Sequence, residues 1–157
     1  MQFLNYSAAS LVSFCGLIIG MVLVRIAPEE QRPLGKYLEP LRKILFFLIF
    51  SLIIFYYHRS PYYITILSAY LGFLAFVEFR MQDKMKKSMI VYTALGILFF
   101  LSSRNTNLFL IESSMITLYV MPTASLVYSK KERNHFKIIA LNLGFVIICT
   151  LLFLLSK

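Results

Sequence analysis

Apolar residues run along this chain in six blocks, set apart by short polar gaps. The blocks fall at roughly 8–26, 41–57, 62–79, 88–101, 108–128 and 138–155. A helix needs about 20 apolar residues to cross hydrocarbon. The pattern therefore predicts an all-α integral membrane fold of six transmembrane helices, arranged as three helical hairpins in a single domain covering 1–157. The second and fourth blocks are short for that task. They cross if flanking Lys and Arg side chains snorkel and the bilayer thins locally. Gly16 and Gly20, four apart in the first block, form a close-packing face or a chance spacing common in apolar helices.

Composition closes off the soluble alternative. Hydrophobic residues make up 59% of the 157, only 15% are charged, and the mean hydropathy is +0.76. A soluble domain of this length leaves a large share of its surface in water and could not hide so much apolar area. Met1–Ser10 holds no Lys or Arg, so the first block reads as a retained span and not a cleaved signal. Phe14 is too bulky for the residue preceding a lipoprotein cysteine.

The net charge of +9 would suit a nucleic-acid binder, but the charges flank the apolar blocks instead of lining one soluble face. Anionic lipid headgroups are the expected partner, and nucleic acid is not. The distribution is uneven. The first gap holds Arg25, Arg32, Lys36, Arg42 and Lys43; the third holds Arg80, Lys84, Lys86 and Lys87; the fifth holds Lys130, Lys131, Arg133 and Lys137. The second holds Arg59, the fourth Arg104, and the C-terminus Lys157. Thirteen basic residues thus stand on one side and three on the other. In loops this short the bias sets orientation. It predicts a multi-pass protein of the cell membrane with gaps 1, 3 and 5 in the cytoplasm and both termini outside. One span more or fewer would put basic gaps on both sides. Tyr56, Tyr57, Tyr62 and Tyr63 bracket the His58-Arg59-Ser60-Pro61 turn as an aromatic belt at outer headgroup depth.

Cys15 and Cys149 lie inside apolar blocks, with no C-x-x-C and no metal-ligand spacing. Both read as small buried apolar residues. A disulfide between them needs the first and last spans to touch at one depth. No metal, cofactor or catalytic set is predicted: the chain lacks a glycine-rich phosphate loop, H-E-x-x-H and a nucleophile elbow. A faint likeness between the second and third hairpins follows from apolar composition as readily as from a repeat.

The most distinctive polar stretch is the cytoplasmic elbow containing Pro28, Glu29, Glu30, Pro33, Gly35, Lys36, Tyr37, Glu39 and Pro40. Pro28 followed by two carboxylates is a helix start, and Pro40 repeats the device at the second span. Pro33 and Gly35 are expected to break the segment between. Leu34, Tyr37 and Leu38 would then dip into the interface. The sharper reading is a docking or catalytic loop, although adjacent carboxylates point about 100° apart on a helix. This stretch, Ile26-Ala27-Pro28-Glu29-Glu30 and then Gly35-Lys36-Tyr37 between two apolar spans, resembles a group of uncharacterised small archaeal membrane proteins. The resemblance implies an archaeal source and no particular activity.

Glu112 lies inside an apolar block, about one turn into the fifth and near its outer face. A carboxylate in hydrocarbon costs roughly 3 kcal/mol at mid-bilayer, and such residues are functional candidates by default. A structural ion pair with Arg104 or Arg59, or a carboxylate reaching the outer headgroups, is the plainer expectation. A cation- or proton-coupled site using Ser113, Ser114, Thr117 and Tyr119, in a span kinked at Pro122, is the sharper one. Asn142, Ser51 and Thr93 are expected to hydrogen-bond between helices.

Three functional classes follow. A non-catalytic subunit or scaffold, packing against other membrane proteins or a second copy, fits the scarcity of polar residues best. A small transporter or channel built on Glu112 is the alternative. A lipid-acting enzyme using Glu29, Glu30 or Glu78 at the inner interface comes last.

Overall fold

The computed structural model describes residues 2–27, 29, 31–128 and 134–156, and for Gln31 and Arg32 the backbone alone. All regular structure among them is α-helical: α1 (Phe3–Ile26), α2 (Gln31–Tyr56), α3 (Pro61–Arg80), α4 (Lys84–Ser102), α5 (Thr106–Val127), α6 (His135–Asn142) and α7 (Gly144–Leu155). Starts are set by local chemistry. The Asp83 carboxylate accepts from the N–H groups of Met85 and Lys86 at the head of α4. Asn105 does the same for Asn107 and Leu108 in α5, and Asn134 for Lys137 in α6. Each such cap contributes about 1 kcal/mol. Pro61 opens α3, where its missing N–H loses nothing.

Five segments are long and apolar enough to cross a bilayer: Phe3–Ile26, Pro61–Arg80, Lys84–Ser102, Thr106–Val127, and α6 with α7 as His135–Leu155. The fourth block is longer than expected, because α4 starts at Lys84. The second departs the other way. α2 has ample length, but its first half carries Lys36, Glu39, Arg42 and Lys43, and it is free of charge only from Ile44.

The elbow is therefore much shorter than expected. Pro33 and Gly35 do not break the chain, and Pro40 does not start a helix; all three lie within α2. Pro33 sits in the first turn, where N–H groups have no partner within the helix. Gly35 keeps helical backbone, and a Cβ there would meet nothing within 4 Å. Pro40 forfeits one bond, to the Lys36 carbonyl, in the polar half of the helix. Glu29 is exposed in the turn between α1 and α2, while Pro28 and Glu30 fall outside the described residues.

Near the other end, Leu143 interrupts the last span. Its N–H is shared between the carbonyls of Ile139 and Ala140, and the Asn142 amide turns back to the carbonyl of Ile138. Gly144 follows because Thr93 of α4 leaves no space: an added Cβ would lie 2.6 Å from the Thr93 hydroxyl.

With α6 and α7 taken together as one segment, successive segments run in opposite directions. Tyr6 near the start of α1 stacks on Phe109 at the start of α5 and Phe153 at the end of α7. Gly20 near the end of α1 meets Met121 and Ser125 near the end of α5. One end of the bundle thus gathers the termini bearing Arg25, Arg80, Lys84 and Lys137; the other gathers Arg59 and Arg104. α5 is the central element, packed on α1, α2 and α4, whereas α3 packs chiefly on the flank formed by α2 and α4.

The α1–α5 seam is built by the spaced glycines. A Cβ on Gly16 would lie 2.8 Å from the Thr117 carbonyl oxygen, and one on Gly20 would lie 2.4 Å from that of Met121. Aromatic rings fill the remaining interior: Tyr92 stacks on Phe145 with centroids 4.4 Å apart, and Phe46 and Phe50 pack beside Tyr119 and Tyr70. Cys149 is buried, but Cys15 is exposed on α1, and both thiols are free. One thiol points outward and the other is enclosed, and no disulfide joins them.

Candidate functional site

Each of α2, α3 and α4 buries one side and carries a single charge at the polar end of that side. On α2 the buried positions are Arg42, Phe46, Ile49, Phe50 and Ile53, spaced by three and four. On α3 they are Leu67, Leu74, Val77 and Glu78; on α4 the series begins with Lys87 and continues through Val91, Leu95 and Leu98. Helical periodicity therefore carries all three charges inward with the apolar residues behind them. They converge. The Arg42 guanidinium donates from Nη2 to Glu78 Oε1 as a close ion pair, and the Lys87 ammonium donates to the Glu78 backbone carbonyl at 2.9 Å. Arg42 is 3% exposed, Glu78 1% and Lys87 8%.

The cluster is thus a sealed group of two cations and one anion. Arg42 Nε and Glu78 Oε2 have no hydrogen-bond partner among the described residues. Lys43, the next residue, stays outside; it pairs with Glu39 at 3.3 Å and lies over the Phe79 ring. Next to the cluster on α4, the Ser88 hydroxyl donates to Asn142 Oδ1 at 3.1 Å, tying α4 to α6. This bears out an interhelical role for Asn142. Ser51 is exposed, whereas Thr93 stands against Gly144.

Glu112 lies in the apolar face of α5, in line with Leu108, Phe109, Ile116 and Tyr119, all of them buried. It is fully buried, and neither carboxyl oxygen has a hydrogen-bond partner among the described residues. The expected ion pair is not formed: Arg59 and Arg104 are exposed at the loops, out of the helical face to which Glu112 belongs. Nor do the neighbouring hydroxyls gather on Glu112. Ser113 and Ser114 both donate to the Leu110 carbonyl, and Thr117 donates to that of Ser113. Thr117 also forms the wall against Gly16. The residues grouped as one binding site thus divide into a lone carboxyl, a helix seam and two surface cations. The elbow residues Glu29, Lys36 and Tyr37 are exposed and converge with no charged partner among the described residues.

Sequence reasoning took Arg42 and Lys87 as orientation charges and weighed Glu78 only as an interfacial acid. The spacing of Arg42 to Phe46, Ile49, Phe50 and Ile53 was the available signal. No protein-family model, curated protein or solved structure matches this chain. Function is therefore read from its own residues. Five apolar helices of spanning length make it compatible with a small membrane protein.

Proposed function

We propose that the chain is a multi-pass membrane protein acting as a non-catalytic subunit, which packs through α3 against another membrane helix. In this reading α2 is the sixth span, the end bearing Arg25, Arg80 and Lys84 faces the cytoplasm, and both termini face outside. The positive-inside bias supports that orientation. A Cys replacing Lys86, whose side chain is largely exposed, is then shielded from impermeant thiol reagents in intact cells; labelling from outside would sink the topology.

The observation carrying the subunit role is the free side of α3. Tyr62, Ile66, Ala69, Phe73 and Phe76 are exposed at alternating spacings of four and three, the seam of a packed helix pair. Ser68 and Gly72, four apart on the same side, are also exposed, and a Cβ on Gly72 would meet nothing within 4 Å. Small residues at that spacing let a second backbone approach in lipid, where apolar surface alone gives no drive to associate. The polar groups inside the bundle support a structural role: Arg42 is spent on Glu78, Ser88 on Asn142, and the Ser125 hydroxyl on the Gly20 carbonyl at 3.1 Å.

The test is the mass of the particle in mild detergent and in native membranes after cross-linking. The expected wild-type particle exceeds one 18.2 kDa chain. Gly72→Leu, which disturbs nothing inside the protomer, is expected to reduce it to that chain. A wild-type protein that is single in both settings overturns the role.

One observation favours a second reading. The lone Glu112 carboxyl shares a buried face of α5 with Tyr119, two turns along, and Tyr119 stands beside Phe46, next to the buried stripe that Arg42 heads. A small transporter moving a proton or cation would use that line. Cation or proton flux in vesicles that Glu112→Gln abolishes would establish it; flux unaltered by that change would discard it.

A further inference from the structure

The other side of the bundle, where α1 and α6 meet, carries chemistry that the subunit role does not use. A cleft of about 200 Å³ opens there, lined by Ile18, Met21, Val22, Arg25, His135 and Ile139. Arg25 lies in the last turn of α1, exposed, and no ion pair reaches it among the described residues. Glu39, Glu78 and Asp83 are each engaged by a different base. His135 opens α6, with its ring stacked on Tyr128 at 4.8 Å and Nε2 within 3.2 Å of the Tyr128 hydroxyl. When that hydroxyl donates to Nε2, the ring proton resides on Nδ1, and the second nitrogen is a donor.

Beneath these two polar groups the walls are wholly apolar. From Arg25 back to Ile18 is seven residues, about 10 Å of helix. A cationic mouth above an apolar trough has the polarity of a phospholipid, with an anion at the surface and a chain leading inward. A free anion would leave Ile18, Val22 and Ile139 uncovered. An uncharged chain would leave Arg25 unpaired.

We propose that this cleft binds one anionic glycerophospholipid, with its phosphate between Arg25 and His135 and one acyl chain along Ile18, Met21, Val22 and Ile139. The site rests on the membrane reading above. That reading is tested first and separately: protein that stays soluble when detergent is withdrawn overturns both.

The lipid site itself is tested on detergent-purified full-length protein by native mass spectrometry. Dioleoylphosphatidylglycerol and dioleoylphosphatidylcholine are titrated in turn. The phosphatidylglycerol is expected to bind in preference, and Arg25→Gln to weaken it about fivefold while leaving the phosphatidylcholine unchanged. Val22→Trp, which fills the trough, is expected to weaken the phosphatidylglycerol with Arg25 intact, and it keeps the test open should Arg25→Gln fold poorly. Equal binding of the two lipids overturns the site, as does an Arg25→Gln protein that retains wild-type preference. Displacement of phosphatidylglycerol by excess inorganic phosphate overturns the lipid in favour of a free anion.

Discussion

Neutralising Glu78 is the change that should disturb this bundle most. The cluster already carries one net positive charge in a space closed to solvent, since Arg42 and Lys87 face a single carboxylate. Glu78→Gln doubles that excess without changing the shape of the side chain. Lys87 keeps its bond, which is made to the backbone carbonyl of residue 78. Arg42 loses its one acidic partner, and its Nε already lacks an acceptor. Removing one member of a buried pair costs about 3–5 kcal/mol, because the other charge stays buried and uncompensated. The amide oxygen left by Gln still accepts from Arg42, so the low end, about 3 kcal/mol, is expected. Replacing both partners, as Arg42→Met with Glu78→Met, removes that pair of charges together, leaves Lys87 on its backbone carbonyl with the net charge of the cluster unchanged, and should fall within about 1 kcal/mol of the parent. The assay is reversible unfolding in mixed micelles titrated with sodium dodecyl sulfate, run as a double-mutant cycle. The reasoning fails if Glu78→Gln is as stable as the parent, or if the double variant is weaker than either single one.

Two glycines should respond oppositely to alanine. Gly20→Ala drives a Cβ into the Met121 carbonyl and should cost about 1–3 kcal/mol, whereas Gly35→Ala meets open space in a helix and should gain up to about 1 kcal/mol; the same unfolding titration reads both, and equal signs would contradict the seam. Glu112→Met removes a buried carboxyl that has no partner and should stabilise by about 1–3 kcal/mol; a loss of stability would mean that the carboxyl is bonded. A lipophilic maleimide should label Cys15 and spare Cys149 in the folded protein, with mass spectrometry of the peptides as the readout; equal labelling would count against the burial of Cys149.

The run of long apolar helices was legible because it depends on block length and composition alone, and both survive any arrangement of the helices. The Gly16 and Gly20 seam was legible for a related reason: a spacing of four places both on one side wherever the helix lies. The start of α2 was not. Pro33, Gly35 and Pro40 are locally unfavourable to a helix, but each unfavourable term is small at the position it occupies, and twenty-six residues of continuous helix outweigh them. The charged cluster was hidden by a counting rule that treats every flanking Arg and Lys alike. Arg42 and Lys43 are adjacent, yet a turn of about 100° sends one to Glu78 inside and the other to the surface. Pairing partners 36 residues apart is a matter of tertiary structure, and no local pattern encodes it.

α3 has an unusual means of attachment. Its buried apolar side chains number few, Phe79 and Tyr70 touch the rings of Phe47 and Phe50, and its polar ties to the bundle are Glu78 to Arg42 and Lys87, and the Tyr70 hydroxyl to the Ala94 carbonyl at 2.9 Å. Attraction of that kind strengthens as the surroundings dry and weakens as water enters. The medium therefore sets how firmly α3 is held. A dry hydrocarbon setting locks it down, while a wet micelle loosens this helix before any other, so that particles extracted harshly should lose their α3 contacts while α1, α5 and α7 stay assembled.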